Sequence, residues 1–272
     1  MLRPCGNTLK LFKIYESESY INFLLEYQDG GTLGKIISNQ MKLNEEDARM
    51  ITAQLLLTVD FMARKNIVHR DLKPENLLLR SKVKGIYDIR IADFGFATIF
   101  DPTKPLTSKE KEFVCGTAGY LAPEILNLEG HSLKSDLFSV GCILYSLLTL
   151  KSLFSADTYK EMVVVNRACD ISHMSQHLRR CSLDAKDLVK QLLHKNPARR
   201  PSAKDALKHP WFKEEELPLQ SSITLNKLLA DSKLGSQNWD SNMSQLIKKK
   251  RPFVAMMGPA FFSNSVKNQQ QQ

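Results

Sequence analysis

Residues 67–79 read IVHRDLKPENLLL. A β-branched pair leads into a polar run, and three leucines close it. Within the run, Asp71 is followed by Lys73 and Asn76, so a carboxylate, an ammonium and an amide share one short loop. A helix-capping surface turn would account for His69-Arg70-Asp71 taken alone. It does not account for the apolar flanks, which mark buried elements entering and leaving the loop. A second acidic loop, Asp93-Phe94-Gly95, follows 22 residues after Asp71, behind the alternating stretch 87–92. Two such loops, each at the end of an apolar segment, can converge on one metal–phosphate site.

That donor set suits phosphoryl transfer, in which a protein mainly positions groups and neutralises charge. Asp71 is the group to accept the proton of an attacking hydroxyl, and Lys73 the group to face the γ-phosphate. Asn76 and Asp93 offer the hard oxygen ligands that Mg²⁺ prefers. Gly95 supplies backbone freedom for the turn behind Asp93.

Composition sets the frame. The 272 residues are 43% hydrophobic and 25% charged, ordinary for a globular chain of one or two domains. The net charge of +9, from 38 basic and 29 acidic residues, selects no particular partner. Cys5, Cys115, Cys142, Cys169 and Cys181 make no CxxC pair, which argues for reduced thiols and against a disulfide framework or a zinc site. The N-terminus lacks the apolar run of a signal peptide. The most apolar segment, 137–150, is punctuated by Ser139, Gly141, Ser146 and Thr149 and reads as a buried helix, too short for a bilayer. An intracellular protein without membrane insertion is expected.

Residues 9–15 and 21–27 read as a β-hairpin around ESES, closed by the turn QDGG at 28–31. From Asn44, a natural N-cap, Ala48, Ile51, Leu55, Val59 and Met62 recur at helical spacing behind an acidic first turn. Further helices are expected at 136–150, 156–168, 183–194 and 202–208. From Lys213 the chain turns polar, with a basic cluster at 248–251 and a terminal QQQQ, and reads as a partly disordered tail. Pro252 and Pro259 interrupt any helix of the calmodulin-target type there. The basic cluster is too small to argue for nucleic acid.

HRDLKPEN at 69–76, DFG at 93–95 and APE at 122–124 resemble the signature of the eukaryotic protein kinases. GTAGYLAPE at 116–124 and LLHKNPARRPSAKDALKHPWF at 192–212 resemble the serine/threonine kinases of the calcium/calmodulin-dependent group. The likeness covers roughly residues 8–212. It implies an α+β, protein-kinase-like fold: a remnant of the small β lobe in 1–29, a mostly helical C-terminal lobe in 30–212, and the tail in 213–272. It implies ATP and Mg²⁺ as cofactors, protein substrates phosphorylated on Ser or Thr, and a cytoplasmic location with the nucleus also compatible. A monomer is expected, with the tail open to a regulatory protein.

Residue by residue, the resemblance gives Asp71, Lys73 and Thr117 to catalysis and Asn76 and Asp93 to the metal. Leu25 falls at the gatekeeper, Glu26 and Gln28 offer hinge backbone to adenine, and Leu78 floors the pocket. Glu75 completes the nucleotide side and retains some preference for basic substrates, while Thr32 stands where many basophilic relatives have Glu. Asp136 would hold the catalytic-loop backbone and Arg200 would pair with Glu124. Phe138 stands where Trp is usual.

The sequence also departs from the family. No GxGxxG precedes residue 70 and no strand Lys of the VAIK type is present. The opening strands match the fourth and fifth of the small lobe, so a truncated kinase, a naturally reduced lobe or an inactive pseudokinase-like scaffold are the readings left open. In the activation segment, 96–121, Phe113 and Val114 stand where many relatives carry a phosphorylated Thr, with Thr107 and Ser108 further upstream. Arg70 implies a phosphate-responsive segment, because a guanidinium there seeks an anion.

Overall fold

In a computed structural model of the chain, the described residues are 7–18, 20–41, 43–81 and 87–212. The tail reading, with its basic cluster and regulatory partner, and Cys5 lie outside them. The chain begins with an antiparallel ribbon of β1 (Leu11–Glu16) and β2 (Ile21–Leu25), followed by α1 (Leu33–Ser38) and α2 (Glu45–Arg64). The short strands β3 (Ile67–Val68), β4 (Leu77–Leu79), β5 (Ile89–Ile91) and β6 (Thr98–Ile99) come next. The remainder is helical: α3 (Ser108–Glu112), α4 (Pro123–Leu126), α5 (Ser135–Thr149), α6 (Tyr159–Ala168), α7 (Met174–His177), α8 (Leu183–Leu192) and α9 (Ala203–Ala206).

The architecture is the expected α+β one, a helical lobe carrying small antiparallel strand pairs. The expected hairpin forms, in the register Leu11 opposite Leu25 to Glu16 opposite Ile21, with an irregularity between Leu11 and Lys13. Its strands are shorter than 9–15 and 21–27, and α1, too short to show a period, was not anticipated. β4 pairs with β5 and β3 with β6, both antiparallel. These pairs form the floor from which the two acidic loops emerge.

Asn44 and Asp47 explain where α2 starts. The Asp47 N–H donates to Asn44 Oδ1 at 2.6 Å, and the Asn44 N–H donates to Asp47 Oδ2 at 3.1 Å, closing a reciprocal cap. Ala48, Ile51, Leu55, Val59 and Met62 are all buried, and each of the larger ones contributes about 1.5–3 kcal/mol on leaving water. α2 packs on α5, and α5 on α8. Every residue of α5 from Ser135 to Leu147 is buried. Gly141 permits the close approach of α8, since a Cβ there would stand 2.9 Å from Leu193 Cδ2. Among the described residues no helix is long and apolar enough to cross a membrane, and Cys115, Cys142, Cys169 and Cys181 are free thiols.

Candidate active site

β3 delivers residues 69–73 to the surface of the core, and Asp136 at the start of α5 fixes their path. The buried Asp136 carboxylate accepts from the His69 N–H at 2.8 Å and the Arg70 N–H at 3.0 Å. Burial pushes its pKa up, and the two N–H donors pull the other way. These bonds hold Arg70 in the left-handed region, φ 69°, which a non-glycine residue enters at a cost. His69 accepts the Asp71 N–H at Nδ1, 3.3 Å, so its Nε2–H donates to the Ala92 carbonyl at 3.1 Å. That bond ties the first acidic loop to the strand leading into the second.

Asp71 is buried and its carboxylate is densely contacted. Thr117 Oγ1 donates to Asp71 Oδ1 at 2.7 Å and accepts from Lys73 Nζ at 2.7 Å. Lys73 Nζ also lies 3.1 Å from Asp71 Oδ2, which Asn76 Nδ2 approaches at 3.2 Å. Asn76 Nδ2 further donates to the Asp71 carbonyl at 2.9 Å. An ionised carboxylate has about four acceptor positions, so an incoming hydroxyl still finds a lone pair here.

Asp93 has φ 57° and ψ 72°, a left-handed conformation that Asp tolerates better than most residues. One of its oxygens accepts the Gly95 N–H at 3.2 Å. Phe94 packs its ring on His69, centroids 4.8 Å apart, a second link between the loops. The structure thus gathers Asp71, Lys73, Asn76 and Thr117 into one cluster and ties the Asp93 loop to it.

The nucleotide-side residues are more dispersed. Leu25 is 38% exposed and Leu78 is half-buried, so neither is a plain core leucine. The Glu26 N–H donates to the Lys10 carbonyl at 2.8 Å, while no described residue takes the Glu26 carbonyl or the Gln28 N–H. Gln28 is buried, and neither of its side-chain amide atoms has a partner among the described residues. Glu75 is exposed, near Gly34 of α1. Thr32 caps α1, accepting the Lys35 N–H at 3.2 Å.

Three findings went beyond the sequence reading. Asn7 is buried, donating to Gln54 Oε1 at 3.0 Å and the Ile89 carbonyl at 3.1 Å. Asn166 of α6 is fully buried and grips the turn beyond Thr117, donating to the Leu121 carbonyl and accepting the Gly119 N–H, both at 2.9 Å. Its signal was an amide inside the apolar run VVVNRA. The third concerns Arg70: its Nε–H donates to the Phe96 carbonyl at 2.5 Å and its guanidinium lies over the Phe113 ring. Among the described residues no carboxylate pairs with its side chain.

The model of the protein kinase domain matches residues 2–212 of the chain. The chain belongs to the protein kinase family. Its relatives place it with the serine/threonine kinases of the calcium/calmodulin-dependent type. It is 36% identical over 202 residues to the calcium/calmodulin-dependent protein kinase cmkA of Emericella nidulans, covering 74% of this chain and 47% of that one. It is 33% identical over 211 residues to serine/threonine-protein kinase 17A of Oryctolagus cuniculus, covering 77% of this chain and 52% of that one. This kinase chain therefore spans about half the length of these relatives.

Proposed function

We propose that the chain carries the catalytic centre of a serine/threonine protein kinase, passing the γ-phosphate of ATP to a Ser or Thr hydroxyl of a protein substrate. The carrying observation is the cluster in which Asp71 is bonded at once by Thr117, Lys73 and Asn76.

The residues present fit MgATP. Asn76 turns its Nδ2 toward Asp71, so its Oδ1 is left for a cation, and one Asp93 oxygen accepts Gly95 while the other carries no hydrogen bond among the described residues. Two hard oxygens of this kind match Mg²⁺. When bound, the ion neutralises charge that develops on the phosphates. Among the described residues nothing takes the Glu26 carbonyl or the Gln28 N–H, an acceptor and a donor of the kind an adenine edge requires.

Asp71 orients the substrate hydroxyl and accepts its proton. Lys73, held by Thr117 and Asp71, presents positive charge beside the transferring group. Thr117 keeps Lys73 and Asp71 in one geometry, so that the hydroxyl arrives in line. On this reading the acceptor at Asp71 is a Ser or Thr hydroxyl. Protein substrates met in the cytoplasm complete the reading.

The test is label transfer from ATP to a basic Ser/Thr-containing protein by the wild-type chain and by Asp71→Asn. The expected label lies on phosphoserine and phosphothreonine and falls to background in Asp71→Asn. Equal transfer by the variant, or label mainly on tyrosine, would overturn the proposal.

A further inference from the structure

The Arg70 guanidinium adjoins Asp71 in sequence and has neighbours of an unusual kind. Asp136, a carboxylate whose charge acts on it, is committed to the N–H groups of His69 and Arg70. The guanidinium donates to a carbonyl, and its carbon lies 5.3 Å from the centroid of the Phe113 ring. Among the described residues Arg70 makes no ion pair through its side chain.

Phe113 is 52% exposed, so burial does not explain an aromatic residue there, whereas a π-face over a cation does. It caps the C-terminus of α3 and opens the stretch that runs to Thr117. That stretch is fastened again just beyond it. The buried Cys115 Sγ lies 3.6 Å from His131 Nε2. Gly116, at φ 111°, passes so near the Arg70 carbonyl that any Cβ would collide with it. The segment thus touches Arg70 on both side chain and backbone, one residue before Thr117 reaches Asp71.

We propose that Phe113 is a positioning residue for the phosphotransfer proposed above. Its ring lies over Arg70 in place of an anion and holds residues 113–117 against the catalytic loop, so that Thr117 meets Asp71 and Lys73 without a phosphorylated residue in the segment. The role rests on the kinase reading for its purpose, and its physical content is separate: an unphosphorylated segment docked through a cation–π contact.

Hydrogen–deuterium exchange on the phosphatase-treated full chain tests this, with intact mass confirming that no phosphate remains. In wild type the amides of 113–117 are protected. Phe113→Ala and Phe113→Leu speed their exchange by about two- to fivefold, the range for losing a cation–π contact at a partly exposed site. Phe113→Trp keeps wild-type protection, and Phe113→Glu restores it by giving Arg70 a carboxylate, a rescue that apolar packing cannot produce. Melting temperatures stay at the wild-type value, since the ring is not in the core. Unprotected amides in wild type, wild-type rates in Phe113→Ala, or full protection by Phe113→Leu would overturn the role. Exchange needs no turnover, so an inert chain with a docked, Phe113-dependent segment would sink the kinase activity and leave this role standing. A chain that phosphorylates protein while Phe113→Ala changes nothing would do the reverse.

Discussion

Arg200 and Glu124 show how far a single pair can be satisfied in a core. The guanidinium meets the carboxylate through two contacts of 2.6 Å. Its other N–H groups go to the carbonyls of His194 at 2.7 Å, Lys134 at 3.1 Å and Lys195 at 3.2 Å, so all five donors are used. Ser135 Oγ adds a bond to Glu124, and the ring of Phe138 lies 5.1 Å beneath the guanidinium. The two side chains are 0% and 4% exposed, so removing either strands a buried charge. Arg200→Ala or Glu124→Ala should each lower stability by about 3–5 kcal/mol in urea unfolding. The double variant Arg200→Met, Glu124→Leu should lose less than either, because an apolar replacement leaves no charge unpaired. Equal midpoints for wild type and the single variants would show that the pair holds nothing. The pair was legible from the resemblance, but its carbonyl partners were not, since backbone acceptors leave no mark in the side-chain sequence.

Among the elements, the Asn44 cap and helical spacing made α2 readable, and the continuous apolar run made α5 readable as a helix buried on all sides. α1, α3, α4 and α7 span six residues or fewer, too few to display a helical repeat. The loop chemistry at Asp71, Asn76 and Asp93 was readable because its residue types are costly to place between apolar segments without a purpose. The fastening of the activation segment was not, because Cys115 and His131 look like ordinary core and loop residues. Burial and the Arg70 charge push the His131 pKa down to about 3, and burial raises the Cys115 thiol to about 11, so the contact is between neutral groups. The sign follows from linkage. A histidine whose folded pKa lies below its unfolded value of about 6.5 contributes nothing above that pH, and its neutral state costs stability as pH falls toward 3. At about pH 5 the unfolded chain gains roughly 2 kcal/mol from protonating this residue. His131→Leu should therefore flatten the fall in urea stability between about pH 7 and pH 5. An unchanged slope in that variant would mean that His131 is not held neutral.

At the scale of the whole molecule, the helical lobe and the β ribbon are finished to different degrees. The lobe has a continuous buried core, with single exposed apolar residues such as Leu183 and Tyr159, whereas on the small ribbon Phe12, Tyr15 and Leu24 are 55%, 49% and 49% exposed. A two-stranded ribbon is marginal by itself, and this one is moored by residues 7–9. The Ile91 N–H donates to the Asn7 carbonyl at 2.7 Å and the Leu9 N–H to the Ile91 carbonyl at 3.2 Å, beside the Asn7–Gln54 bond. The ribbon leads into the Glu26–Gln28 backbone, which on the proposed reading would line the nucleotide side, with Asn76 and Asp93 on the metal side. Among the described residues no glycine-rich loop covers the space between, so a bound triphosphate would keep its water and its γ-phosphate would sample many orientations. The 272-residue chain should accordingly bind MgATP weakly in calorimetry and turn over slowly. Its exposed ribbon should also promote self-association, seen as concentration-dependent mass in light scattering. Joining a glycine-rich, lysine-bearing strand segment from a relative ahead of residue 1 should tighten ATP binding, raise Asp71-dependent turnover and lower self-association together, because one added sheet face answers all three. Fast, Asp71-dependent phosphorylation by the unextended chain would refute this, and would direct attention to Lys10 or Lys13 on the ribbon side as the cation serving the phosphates.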